Sequence, residues 1–176
     1  MNMQQSGDKK NSLPTREGGV GLIPSFTIDH CKLMAGVYVS RQDTVGTEKV
    51  TTYDIRMKAP NRETPVYAPA LHTIEHLVAT YLRNNEAWKD QVIYWGPMGC
   101  LTGNYLIMKG EPSCESIRQL MIEAFQYVVD FDGVIPGTTP DACGNYLLHD
   151  LGMAKIEAKQ YVERLKNEFC CEYPNL

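Results

Sequence analysis

Two periods of hydrophobic and polar positions run along this chain, and the switches between them mark its elements. In VTTYDIRM (50–57), Tyr53, Ile55 and Met57 alternate with Thr52, Asp54 and Arg56, the period of a half-buried strand with Arg56 on its polar side. SFTIDH (25–30), GVYVSRQ (36–42), QVIYWG (91–96) and NYLIMKG (104–110) also read as strands. Helical spacing takes over in three places. Leu71, Ile74, Leu77, Val78, Tyr81 and Leu82 form one apolar stripe, with Pro69 suited to the first turn. A second stripe, Ile117, Leu120, Met121, Ala124, Val128 and Phe131, follows a capping Ser113. The third, Leu151, Ala154, Ala158, Tyr161, Val162, Leu165 and Phe169, follows Asp150. The resulting order of strands, helix, strands, helix, helix predicts an α+β fold, a mainly antiparallel sheet covered by helices in a two-layer sandwich.

The first helix carries chemistry opposite its apolar stripe. His72, Glu75 and His76 form an HxxEH pattern. At about 100° per residue the two imidazoles lie within about 40° of each other, and the carboxylate about 60° to the other side. Two neutral imidazoles one turn apart clamp a divalent metal, and a glutamate beside them is placed to move protons. A catalytic site needs a third protein ligand, and Glu157, Glu163 and Cys143 compete for that place. Cys143 lies in the Gly- and Pro-rich stretch 133–145 and offers a thiolate suited to iron, cobalt or zinc. Cys100, in the turn-forming PMGCLTG (97–103), is a second thiol that a nearby cation would activate.

Composition narrows the class. The chain has 176 residues, 43% of them hydrophobic, enough for one domain with a substantial core. A net charge of −4 and no dense Lys/Arg cluster argue against nucleic acid as a partner. There is no long apolar run and no export signal, so no membrane partner is expected and the protein is read as soluble and cytoplasmic. Its six cysteines are then expected as reduced thiols. Residues 1–22 are polar and read as a flexible N-terminal extension, leaving 23–176 as a single catalytic metal-binding domain.

SFTIDH, TTYDIRM, HTIEHL, GPMGC with its following TG, and CGNY occur in this order and spacing in S-ribosylhomocysteine lyases, the LuxS family. The chain resembles that family from about Ser25 to about Lys166. The resemblance implies an enzyme of the activated methyl cycle that splits S-ribosyl-L-homocysteine into L-homocysteine and 4,5-dihydroxy-2,3-pentanedione, the autoinducer-2 precursor of quorum sensing. It implies one ferrous ion per subunit, replaceable by zinc or cobalt, held by His72, His76 and Cys143. Glu75 and Cys100 match the family's proton carriers, which move the sugar carbonyl from carbon 1 to carbon 3 before thiolate is expelled from carbon 5. Substrate contacts map to Ser25, His30 and Arg56. The family's homodimer, with interfacial sites, implies that Ser25 and His30 act across the interface. Leu101 stands where a polar residue is common, and Asn104 where an aromatic one is, so altered packing or tuning of the thiolate is expected, not loss of activity. Two rivals remain. One is an HxxEH metallopeptidase with a glutamate third ligand. The other is a non-catalytic structural metal-binding protein, whose site would be closed by four protein ligands.

Overall fold

In the computed structural model, which describes residues 27–174, the alternating and helical stretches become four strands and three helices. These are β1 (Gly36–Val45), β2 (Glu48–Arg56), α1 (Ala68–Asn84), β3 (Val92–Pro97), β4 (Gly103–Lys109), α2 (Cys114–Asp130) and α3 (Leu151–Asn167). The 1–22 extension and Ser25 lie outside the described residues. Two hairpins, β1–β2 and β3–β4, join through β2 and β4 into one antiparallel sheet of order β1-β2-β4-β3.

The two-residue period of β2 decides which side of the sheet faces the helices. Tyr53 and Ile55 enter a core with Val37, Trp95, Leu106 and Met108 from the sheet. The helices contribute Leu71, Ile74 and Leu77 from α1, Phe125 from α2 and Tyr161 from α3. Each such side chain stabilises the fold by about 1.5–3 kcal/mol through burial. Ser113 accepts from Ser116 N–H at 3.1 Å and Asp150 from Met153 N–H at 2.9 Å, satisfying first-turn donors of α2 and α3. Pro69 stands in the first turn of α1, where its missing N–H removes nothing.

The part of SFTIDH that is described is not a strand. Asp29 turns the chain, its side chain accepting from Cys31 N–H at 2.9 Å and its carbonyl from Lys32 and Leu33 N–H at 3.1 and 3.0 Å. Alternation alone does not make a strand when a local Asx turn competes for the backbone.

Asn104 on β4 is fully buried, and its Oδ1 finds no donor among the described residues. Its Nδ2 reaches only the sulfur of Met57, at 3.5 Å. A buried polar atom left unpaired costs about 1–3 kcal/mol. Asn104→Leu, close in volume, is therefore expected to stabilise the protein by about 1 kcal/mol, read as a higher urea midpoint at unchanged slope. A lower midpoint would mean that the amide is satisfied in solution.

Candidate metal centre and active site

The N-terminal half of α1 presents His72 and His76 to the segment that runs from α2 to α3. That segment is tied down locally: Cys143 N–H donates to Thr139 O at 3.0 Å, and Asp150 N–H to Pro69 O at 3.2 Å. It also fixes the imidazoles. His72 Nδ1 stands 2.8 Å from Leu148 O, and His76 Nδ1 stands 2.7 Å from Pro136 O. A carbonyl only accepts, so both Nδ1 atoms carry a proton and Nε2 is the nitrogen each ring offers to a metal. Gly137, at φ 73°, allows this approach, since a Cβ there would come within 3.4 Å of His76 Nδ1.

Ligand atoms of His72, His76, Cys143 and His149 all lie within 4.8 Å of one another. The Cys143 sulfur stands 3.5 Å from His72 Nε2 and accepts from Asn145 N–H at 3.4 Å. Sulfur and nitrogen bound to one tetrahedral zinc-sized ion stand about 3.5 Å apart, so this donor set fits a divalent metal.

His149 was not singled out from the sequence, since it belongs to no motif read there. Its ring stacks on His72, with centroids 4.1 Å and planes 20° apart. A metal–imidazole bond lies in the ring plane, so two nearly parallel stacked rings do not share an ion well. The His72 and His76 rings, 88° apart, can. Thr73 Oγ1 donates to Pro69 O at 2.9 Å, and His149 Nδ1 lies 3.2 Å from that hydroxyl oxygen and donates to it. Burial, then His72 and His76, lower the His149 pKa to about 4, so the ring is neutral. This arrangement favours His72, His76 and Cys143 as three ligands with an open position, and His149 as the support behind His72.

Of the competing carboxylates, Glu157 pairs with Lys58 at 2.5 Å, and neither it nor Glu163 is in the cluster. Glu75 is half-buried in a cleft of about 310 Å³ with His72, Met98, Leu101 and Leu148, and makes no hydrogen bond or ion pair among the described residues.

Cys100 belongs to a second cleft, of about 360 Å³, shared with His30, Arg56, Glu63 and Thr102. Residues of the turn between β3 and β4 alternate between the clefts, Leu101 to the first and Cys100 and Thr102 to the second. Gly103 lets the turn lie on β2, because a Cβ there would overlap the Ile55 carbonyl. Leu101 itself sits at φ 59°, strained for a branched residue.

Arg56 is buried and forks onto Asp54, with Nε–Oδ1 3.0 Å and Nη2–Oδ2 2.6 Å. Its Nη1 donates to Thr102 Oγ1 at 2.6 Å and toward Cys100 Sγ at 3.7 Å. Burial opposes the Cys100 thiolate, but Thr102, 3.0 Å away, and Arg56 outweigh it and lower the thiol's pKa. Sequence reasoning took Arg56 for a substrate contact but missed Asp54 and Thr102. Their places two residues before Arg56 and two after Cys100 were the available signal.

The structure thus brings the ligand atoms of His72, His76 and Cys143 together, sets Glu75 in one cleft with His72, and His30 with Arg56 and Cys100 in a neighbouring one. A family model described as S-ribosylhomocysteinase (LuxS) matches residues 23–170. An S-ribosylhomocysteine lyase of Phocaeicola vulgatus is 62% identical over 143 residues, 81% of this chain and 89% of the relative. One from Porphyromonas gingivalis is 57% identical over 143 residues, 81% of this chain and 90% of the relative. Another, from Desulfotalea psychrophila, is 53% identical over 139 residues, 79% of this chain and 87% of the relative.

Proposed function

The chain belongs to the S-ribosylhomocysteinase (LuxS) family, and from that premise we infer how its residues divide the work of an S-ribosylhomocysteine lyase. The reaction splits the thioether of S-ribosyl-L-homocysteine into L-homocysteine and 4,5-dihydroxy-2,3-pentanedione. The observation that carries the assignment is the convergence of two Nδ1-protonated imidazoles and a thiol, with a glutamate that has no partner among the described residues in the cleft beside His72.

His72, His76 and Cys143 are the proposed holders of one divalent metal, Fe2+ in the first instance, with Zn2+ or Co2+ as substitutes. When bound, the ion supplies Lewis-acid polarisation of a substrate carbonyl. Glu75 and Cys100 move protons between neighbouring carbons as the carbonyl passes from carbon 1 to carbon 3. With a ketone at carbon 3 the carbon 4 proton is acidic; Glu75 takes it, and the homocysteine thiolate leaves carbon 5. Arg56, His30 and Ser25 are the proposed substrate contacts, Ser25 lying outside the described residues.

A second copy of the chain is proposed to complete the site. Val134 and Leu147, in the segment that carries Cys143, are 86% and 78% exposed, and an apolar partner surface would cover them. No helix among the described residues is long and apolar enough to cross a membrane. Placement in the cytoplasm, and use of the dione as an autoinducer precursor, belong to the same proposal.

The test is homocysteine release, followed by mass spectrometry, from S-ribosylhomocysteine and anaerobically purified, metal-loaded protein, with Cys100→Ala alongside. The native protein is expected to release homocysteine, and Cys100→Ala at least ~100-fold less. No product from folded, metal-bearing native protein would overturn the reading.

A further inference from the structure

After α3 the chain doubles back over the sheet face turned away from the helices. Cys170 O accepts from Val37 N–H at 3.0 Å, and Tyr173 stacks on Tyr38, with ring centroids 4.7 Å and planes 9° apart. This brings the Tyr173 hydroxyl to Asp54 Oδ2, to which it donates at 3.0 Å. That oxygen is also the one that accepts from Arg56 Nη2. A continuous set of hydrogen bonds therefore runs from Tyr173 through Asp54 and Arg56 to Thr102 and Cys100.

We propose that Tyr173 is a positioning residue for the Arg56–Cys100 pair, acting through Asp54. The Asp54 carboxylate is 2% exposed, and its Oδ1 is occupied by Arg56 Nε. Two donors hold Oδ2, and removing the phenol leaves the guanidinium fork as its partner. The fork and Nη1 belong to one planar group, so a carboxylate free to turn carries Nη1 with it. Nη1 is the atom facing Cys100. Burial, then Asp54, push the Tyr173 pKa up, so the phenol keeps its proton and stays a donor. Burial raises the Asp54 pKa, and the guanidinium and the phenol pull the carboxyl back toward the ionised form. Tyr173 lies beyond residue 170, where the family match ends, so the role is read from this chain's own contacts. The link from Arg56 and Cys100 to catalysis rests on the proposed function; the link from Tyr173 to Cys100 does not.

The experiment measures iodoacetamide alkylation of Cys100 against pH, by peptide mass spectrometry, in the full-length protein, Tyr173→Phe and Tyr38→Phe. The charged or titratable groups sharing the Cys100 cleft are His30, Arg56 and Glu63, and none is altered by these variants. Tyr173→Phe keeps the ring and its stacking and loses only the donor. It is expected to raise the alkylation midpoint by roughly half a pH unit, part of one charged hydrogen bond. Tyr38→Phe, which loses a hydrogen bond to Met34 O at 3.0 Å in the same stack, is expected to leave the midpoint in place. In the lyase assay, Tyr173→Phe should raise KM about threefold with kcat within about twofold. Coincident profiles for Tyr173→Phe and the parent would overturn the proposal. An equal shift in Tyr38→Phe would also overturn it, by showing general loosening. If the parent has no lyase activity, the functional reading fails while the alkylation result still decides the role of Tyr173.

Discussion

Cys143→Ala is expected to lower divalent-metal affinity by more than about a hundredfold and to leave the purified protein nearly metal-free. Changes to groups that merely orient ligands cost about 10- to 100-fold, and loss of a ligand costs more. The Cys143 sulfur stands 3.5 Å from His72 Nε2 and accepts from Asn145 N–H, so it is held where it can ligate the same ion as that nitrogen. Cys143→Ser should fall between, since an alcohol ligates soft divalent ions less well than a thiolate. Cys100→Ala should keep its metal, because Cys100 lines the other cleft. The measurement is metal per protein after dialysis against a graded series of chelator concentrations, with no substrate present. A metallopeptidase with a glutamate ligand predicts unchanged content in Cys143→Ala, and that outcome would remove the thiolate from the ligand set. His149→Gln separates the structural-protein rival. A closed four-ligand site would lose metal as steeply as in Cys143→Ala, whereas a ring stacked behind His72 costs less.

Periodicity carried the architecture because the same residues that set the period bury the core. Tyr53 and Ile55, read from a two-residue alternation, do face the helices, and Ile74 and Leu77 do face the sheet. The candidate metal-ligand cluster was legible where it is local, at His72 and His76. Spacing alone left Cys143 and Glu157 both open, and only the family resemblance favoured Cys143; in the structure the segment after α2 folds back to bring Cys143 to the histidines, and Lys58 engages Glu157. His149 was hidden for the same reason, its role being a ring contact across 77 positions (149 minus 72). Arg56 shows a subtler limit. Asp54 and Arg56 share a strand face by alternation, so their pairing is readable, and a surface ion pair is the ordinary expectation. The pair is instead buried, and Asp54 is also held by Tyr173, which no period connects to β2. The strand expected at SFTIDH fails over its described part because the Asp29 turn offers the backbone local partners. Separation of Cys100 from Glu75 into neighbouring clefts is likewise a property of the turn, whose residues alternate between the two sides.

Glu75→Gln is expected to reduce homocysteine release by about 10²- to 10⁴-fold while metal content and the Cys100 alkylation profile stay at parental values. Glutamine keeps the shape and loses the proton acceptor, so the change isolates proton transfer from packing. Glu75 is suited to the test because it makes no hydrogen bond or ion pair among the described residues, and its replacement breaks no network. Its cleft also contains Met98, Leu101 and Leu148, none of which carries a proton that could replace the carboxylate's in transfer. Because the change breaks no contact and creates no cavity, Glu75→Gln should melt at about the parental temperature. A proton carrier gives this combination of lost turnover and retained melting temperature. A ligand or packing residue would lose both together. Solvent deuterium separates the steps further. Deuterium in substrate recovered from the variant would assign the earlier transfers to Cys100 alone, and its absence would confirm the share of Glu75 in them. Homocysteine release above about a tenth of the parental rate would remove Glu75 from proton transfer altogether. Loss of metal with activity would instead mark it as part of the metal site, and the open position beside His72 and His76 would need another base.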